Sequence, residues 1–286
     1  MKKTIVITGA TSGLGLASAK SLANQTDHLI LLATDLNKAE EAKQEVISAG
    51  ARAQVECYAA DLGNQKEIRE VARKIRHDYP VIDVLINNAG VWYSERMLTE
   101  DGIEEVFAVN HLAYFLLTHL LYPSMALSED GRIINVGSDS HFKGQMHFDD
   151  LSLESHYHGL RSYAQSKLAN LLFTYELDRR KPGPNVVVNC VQPGLVQTDI
   201  GLKHTRWLHR VAWKFRRRSG VTPDEGARTQ VYLATSPEVK GVSGKYWDNR
   251  SPKSSSGRSY DEAAASQLWE ISKELCGVSD FFKPAL

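Results

Sequence analysis
Short apolar runs recur along the chain, separated by longer stretches whose apolar residues repeat at helical spacing. The runs cover residues 2–8, 28–34, 53–61, 82–89, 132–138 and 186–192, and a seventh begins at Gly244-Lys245-Tyr246-Trp247. They are apolar at nearly every position rather than at alternate ones, the pattern of parallel strands covered on both faces. Strands alternating with helices predict a doubly wound α/β fold, a sheet of about seven parallel strands with helices on both sides. The alternation runs without a Pro/Gly/Ser-rich linker until late, so residues 1–286 read as one domain. Ser251 to Ser259 is the only low-complexity stretch and reads as a surface loop.

Polar and glycine residues collect where the runs end: Asp61-Leu62, Asn87-Asn88-Ala89-Gly90, Gly137-Ser138 and Pro193-Gly194. Open α/β sheets bind ligands at the carboxyl ends of their strands. The first run leads into Gly9, Ala10, Thr11, Ser12, Gly13, Leu14 and Gly15, and then into a helical stretch over 16–24. Strand, glycine turn and helix in that order is the context of a dinucleotide site. Gly9 permits the tight turn, Gly13 lets the backbone approach a pyrophosphate, and Gly15 lets helix pack on strand. The helix N-terminus then offers free N–H groups and a positive dipole end to the phosphates.

Tyr163 and Lys167 lie one helical turn apart on one face. A tyrosine with a pKa of about 10 is a poor acid or base at neutral pH. A cation beside it favours the phenolate and makes it usable. Either motif alone is weak; a Tyr-x-x-x-Lys pair downstream of this glycine turn is a strong combination.

Composition narrows the class. Lys plus Arg and Asp plus Glu both count 34, so the chain has no global attraction for nucleic acid. Cys57, Cys190 and Cys276 are scattered with no Cys-x-x-Cys, which favours reduced thiols and a cytoplasmic setting. The start reads as a first strand rather than a signal peptide, and no apolar stretch approaches the roughly 20 residues of a spanning helix.

The chain resembles the short-chain dehydrogenase/reductase family over nearly its whole length. The motifs that carry this are Thr8-Gly9-x-x-x-Gly13-x-Gly15, Asp61, Asn87-Asn88-Ala89-Gly90, Asn110, Ser138, Tyr163-x-x-x-Lys167, and Pro193-Gly194 with Thr198 beyond. The insertion between Ser138 and Tyr163, Ser166-Lys167-Leu168-Ala169-Asn170, and Leu268-Trp269-Glu270-Ile271-Ser272 resemble its retinol-dehydrogenase-like branch. Relatives of the WW-domain oxidoreductase and of protochlorophyllide reductase belong to that branch. The resemblance implies a Rossmann fold and a role for each residue. Tyr163 would pass a proton to or from the substrate oxygen, and Lys167 would hold the nicotinamide ribose and depress the Tyr163 pKa. Ser138 would hydrogen-bond the substrate oxygen. Asn110, in a helix over 102–122, would anchor a water connecting Lys167 to solvent. Asp61 and Leu62 would meet the adenine, Asn88, Ala89 and Gly90 would lie under the adenosine ribose, and Pro193, Gly194 and Thr198 would flank the carboxamide. Ser140 and Asp139 compete with Ser138, and Gly137 stands where the family often has a second serine. Pairing of copies through helices around 103–122 and 160–180 is a further implication.

Three questions stay open at this level. Asp35 follows the second strand and would accept the ribose 2′-OH of NAD, yet it equally reads as a helix cap. The branch usually carries Arg at the position of Thr34 and uses NADP, whereas Ser12 is neutral where many NADP users are basic. The cofactor is NAD or NADP, with the balance toward NAD. Residues 199–220 read as a variable substrate lid, and 206–218 are basic and amphipathic, either lid or membrane-surface contact or a solvated face. His141, His147, His156 and His158 have no metal-ligand spacing; they line the cleft or are exposed. The expected function is an NAD(P)-dependent oxidoreductase interconverting a lipophilic alcohol with an aldehyde or ketone. Reduction of a conjugated carbon–carbon bond suits the same Tyr and Lys. The runner-up is a cofactor-binding scaffold that has lost turnover.

Overall fold
The computed structural model describes residues 3–197 and 220–284. One sheet of eight strands organises it, in the order β3-β2-β1-β4-β5-β6-β7-β8. The strands are β1 (Thr4–Thr8), β2 (His28–Ala33), β3 (Gln54–Ala59), β4 (Val84–Asn87), β5 (Gly131–Val136), β6 (Val186–Gln192), β7 (Lys245–Asp248) and β8 (Ser251–Lys253). All pairings are parallel except β7 with β8. The seven predicted strands are present; β6 keeps its predicted bounds, and most of the others stop short at a polar end. The eighth falls in the stretch predicted as a surface loop. That expectation fails further along, because Ser255, Ser256 and Ser259 are buried.

Alternate side chains of the strands feed two separate cores. Ile5, Ile7, Leu29, Leu31, Val84 and Ile86 pack with Ala19 and Leu22 of α1 (Gly13–Leu22), Ala42 and Val46 of α2 (Leu36–Ser48) and Leu233 of a later helix. Val6, Ile30, Leu32, Leu85 and Ile133 pack on the other side, with Ile68, Val71 and Ile75 of α3 (Gln65–Asp78). Burial on both faces is why each strand reads as a continuous apolar run.

Local chemistry sets the helix starts. Asp35 accepts from the Lys38 amide at 2.8 Å and opens α2. Asn64 accepts from the Glu67 amide at 3.2 Å and opens α3. α6 (Pro223–Thr235) opens on a reciprocal pair of bonds between Thr222 and Glu225, with proline in its first turn, where no amide is needed.

α4 (Glu105–Ala126) and α5 (Gly159–Arg180) carry the candidate chemistry. α4 is 22 residues long with mean hydropathy 1.2, long and apolar enough to cross a membrane, contrary to the expectation that no stretch would be. Of its most apolar 18-residue stretch, 94% is buried within this chain, as befits a core helix. Its cover comes from α7 (Glu262–Leu275) and the segment after it. Phe115 meets Trp269 at 5.3 Å and Phe281 at 4.8 Å between ring centroids, both edge-on. Much of the helix face that the resemblance gives to pairing of copies is thus covered by the chain's own C-terminal helix and tail.

This docking yields a stability prediction. Trp269, 3% exposed, is central to that cluster, so Trp269→Ala is expected to cost about 3–5 kcal/mol. Leu127, 66% exposed, is the control, and Leu127→Ala should stay within about 0.5 kcal/mol. Urea unfolding midpoints measure both.

Candidate active site
The glycine turn has the shape a dinucleotide requires. Gly9 and Gly13 hold φ of +66° and +51°, and a Cβ on Gly15 would fall 2.2 Å from the Gly9 carbonyl oxygen. Ser12 makes no side-chain cap bond, so the first amides of α1 keep their donors for an anion. The turn is braced from behind by Thr8, which the sequence reading did not place in the site. Its Oγ1 accepts from the amides of Asn88 and Ala89, both at 2.9 Å. Asn88 returns the contact, donating to the Thr8 carbonyl at 2.9 Å. Its side chain therefore binds the turn. Asn87 ties β4 to α4 and β5 through Thr118 and Asn135, at 3.1 and 2.9 Å.

The selectors at the adenosine end differ in what they offer. Asp61 is exposed at the end of β3, though its Oδ1 accepts from the Gly63 amide at 2.8 Å. Leu62 is 5% exposed and its side chain sits in the core. Asp35 is engaged as the cap of α2, which weakens it as a selector of NAD. Thr34 beside it is exposed.

Tyr163, Lys167, Asn110 and Ser138 converge beyond the ends of β4 and β5. α4 widens into a π turn at Ala108–Leu112, and Asn110 lies in it. Asn110 Oδ1 accepts from the Val91 amide at 2.7 Å, while Nδ2 donates to the Val91 carbonyl at 3.0 Å and to Ser166 Oγ at 3.1 Å. Ser166 Oγ in turn donates to the Tyr163 carbonyl at 2.9 Å. With its amide so engaged, the Asn110 side chain holds loop to helix. Lys167 Nζ donates to the Val136 carbonyl at 2.9 Å and lies 5.5 Å from the Tyr163 ring centroid. Tyr114 closes the other side, its ring 5.8 Å from that ammonium and its hydroxyl donating to the Ala89 carbonyl at 2.8 Å. The sequence reading missed Tyr114. Its signal was the four-residue spacing from Asn110, which puts both on one helix face.

The protonation balance departs from expectation. Burial pushes the Tyr163 phenol up to about 12, against a hydrogen bond with Ser138 that pulls it down. Burial also brings Lys167 down to about 8, with the nearby Cys190 working weakly the other way. Lys167 therefore does not produce the depressed phenol that the resemblance implied; desolvation of both groups wins.

Gly194 has φ +82°, and Pro193 is partly buried beside it. Thr198 and residues 199–219 of the expected lid, including 206–218, lie outside the described residues. The chain on either side of them pairs, with Val196 bridged to Val221. Among the described residues no cluster of His, Cys, Asp and Glu could hold a metal. His141 is buried at the core of a hydrogen-bonded turn instead of lining a cleft. A surface depression of about 560 Å³ lined by residues such as Asp27, His28 and Arg52 lies where β2 begins, at the opposite end of the sheet from this chemistry.

A glycine turn after β1, beside the point where the strand order reverses, and a Tyr-Lys pair facing it define a nicotinamide-dependent oxidoreductase. The family model for short chain dehydrogenase matches residues 3–209, and the chain belongs to that family. Retinol dehydrogenase 14 of Mus musculus is 40% identical over 292 residues, covering 96% of this chain and 86% of the relative. Polyprenol dehydrogenase of Homo sapiens is 37% identical, covering 97% of this chain and 86% of the relative. The crystal structure of an uncharacterized protein from Mycobacterium paratuberculosis matches with a TM-score of 0.78 at 32% identity, covering 96% and 93% of the two chains. The chain lies in the retinol-dehydrogenase-like branch and is an NAD(P)-dependent oxidoreductase acting on CH–OH groups.

Gly137, where the family often has serine, has a local reason. A Cβ there would stand 2.6 Å from Cys190 Sγ. Gly137→Ala is expected to destabilise by about 1–3 kcal/mol. Cys190→Ala in the same chain should recover most of that loss, a coupling that a double-mutant cycle in urea measures.

Proposed function
We propose that this protein interconverts a lipophilic primary or secondary alcohol with its aldehyde or ketone, Tyr163 acting as general acid and base. The observation that carries this reading is the convergence of Tyr163, Ser138 and Lys167 on one point beyond β5, opposite the glycine turn. The nicotinamide cofactor, when bound, supplies or accepts the hydride. Ser138 hydrogen-bonds the substrate oxygen where charge develops, and Tyr163 delivers or removes its proton. A phenol pushed up to about 12 is protonated at neutral pH and beside an ammonium, the form that carbonyl reduction consumes. Lys167 holds the nicotinamide ribose hydroxyls, and Gly90, whose Cβ would lie 3.9 Å from Lys167 Nζ, keeps the approach open. NAD is the favoured nucleotide in this reading, because Ser12, Thr34 and Asp35 bring no cation to a 2′-phosphate. The names retinol and polyprenol dehydrogenase describe lipophilic alcohols, which supports that substrate class. The basic run 206–218 supports contact with an anionic membrane surface.

Two measurements test this. Nicotinamide absorbance is followed with NADH and NADPH in turn against a panel of lipophilic aldehydes and ketones that includes retinal. Turnover is expected, and Tyr163→Phe should lower it by about 10²–10⁴-fold; a variant as active as the native chain contradicts the assignment. The second uses pH. Lys167, at about 8, loses its ammonium as pH rises through that value. Nucleotide affinity should therefore weaken between about pH 7 and pH 9 in the native chain and stay flat in Lys167→Met. Titration of nucleotide fluorescence reads both.

A further inference from the structure
The turn that carries Ser138 is held from the C-terminal part of the chain by two separate arms. Ser138 lies just beyond β5, after Gly137, and caps a short helical turn, Asp139–Lys143. In the first arm Asp139 takes the Tyr246 hydroxyl at 2.9 Å and the Lys253 ammonium at 2.9 Å, while its amide donates to Gln192 Oε1 at 3.2 Å. In the second arm His141, 0% exposed, stands between two backbones. Its Nδ1 lies 2.6 Å from the Ser138 carbonyl oxygen, and its Nε2 lies 3.0 Å from the Ser256 amide.

These partners fix the tautomer. A carbonyl only accepts and a backbone amide only donates, so Nδ1 carries the proton and Nε2 is a bare acceptor. The Ser256 platform is itself well tied. Ser255 Oγ bonds to Tyr175 and to Ser259, each at 2.7 Å, and the Ser259 hydroxyl donates to the Ser256 carbonyl at 2.6 Å.

We propose that His141 is a positioning residue, clipping the Ser138 turn to the serine-rich loop after β8, and that it does so only as the neutral imidazole. The proposal rests on the reading of Ser138 as the substrate's hydrogen-bond donor. Protonation at Nε2 sets an N–H against the Ser256 N–H and opens the clip on that side; the ring, still bonded through Nδ1 to the Ser138 carbonyl, then moves away from the loop and carries the Ser138 turn and its hydroxyl with it. The groups facing the ring act in both directions. Asp139 on its own turn favours the charged form and Lys253 of β8 opposes it. Tyr246 of β7 meets the ring edge-on at 5.0 Å and presents its hydroxyl to Asp139. Burial is the largest influence and holds His141 below the ordinary 6.5. The clip is therefore closed at neutral pH and opens in acid.

The test is kcat against pH for the native chain, His141→Ala, His141→Gln and Ser138→Ala, with nucleotide affinity and thermal midpoint measured on each. His141→Ala should lower kcat by roughly 10- to 100-fold while nucleotide affinity stays at the native value. Glutamine offers Ser256 an acceptor that does not titrate. His141→Gln should recover kcat to within about tenfold of native and lack the acid limb expected of the native enzyme below the ordinary histidine value of 6.5. Native kcat in His141→Ala, or an acid limb unchanged in His141→Gln, overturns the proposal. Should His141→Ala not fold, the His141→Gln profile decides alone. Ser138→Ala separates the two levels. If it is fully active, the reading of Ser138 fails; if it is inactive while His141→Ala is fully active, only the clip fails.

Discussion
A lysine ammonium buried beneath the ends of β4 and β5 is the constraint on which the site depends. Moving such a charge out of water carries a penalty of several kcal/mol unless its donors are satisfied. Lys167 is 2% exposed and has no carboxylate partner among the described residues; it has the Val136 carbonyl and the faces of Tyr114 and Tyr163. Those partners are weaker than an ion pair, and the lysine answers by dropping to about 8. An acidic partner would have raised that value, but it would also have neutralised the positive charge at this point of the site. The Cys190 thiol behind it stays neutral, since burial pushes it up to about 12. The absence of a Cβ at Gly137 makes room for that sulfur.

From that point the polar scaffold spreads outward through the sheet. Asn110, Ser166 and Tyr114 fix the loop after β4 against α4 and α5. Thr8 and Asn88 join the same loop to the glycine turn. The glycine turn and the Tyr163–Lys167 helix are thus joined through one loop, the arrangement that hydride transfer to a fixed carbon would require. The C-terminal part supplies the remaining support, α7 covering α4, and β8 with its serine loop fixing the Ser138 turn.

Much of this was legible in the sequence because it depends on local pattern. Doubly covered strands give continuous apolar runs, and the glycines and the Tyr-Lys pair have fixed spacings. What was not legible depends on partners far along the chain. Tyr114 reads as one more aromatic on an apolar helix until Ala89 and Lys167 are brought to it. Ser251 to Ser259 has the composition of a solvated loop, yet its hydroxyls satisfy one another and can be buried. β8 is three residues long and contains Pro252, so it shows no alternation to detect. The apolar length of the helix carrying Asn110 was not legible because Asn110, His111, Thr118 and His119 interrupt its run; each is buried, and each has a polar partner inside the protein. The protonation balance was out of reach for a related reason, since spacing places a cation near a phenol but does not show how dry the pair is.

The central claim is that this site passes hydride directly between nicotinamide and carbonyl carbon. Isotope transfer tests it most directly: purified protein, a lipophilic aldehyde such as retinal, and reduced nicotinamide nucleotide carrying deuterium at C4, with the product alcohol examined by mass spectrometry. The account predicts one deuterium on the carbinol carbon, from one face of the nicotinamide only. Alcohol formed without deuterium, or with deuterium elsewhere on the carbon chain, would contradict it.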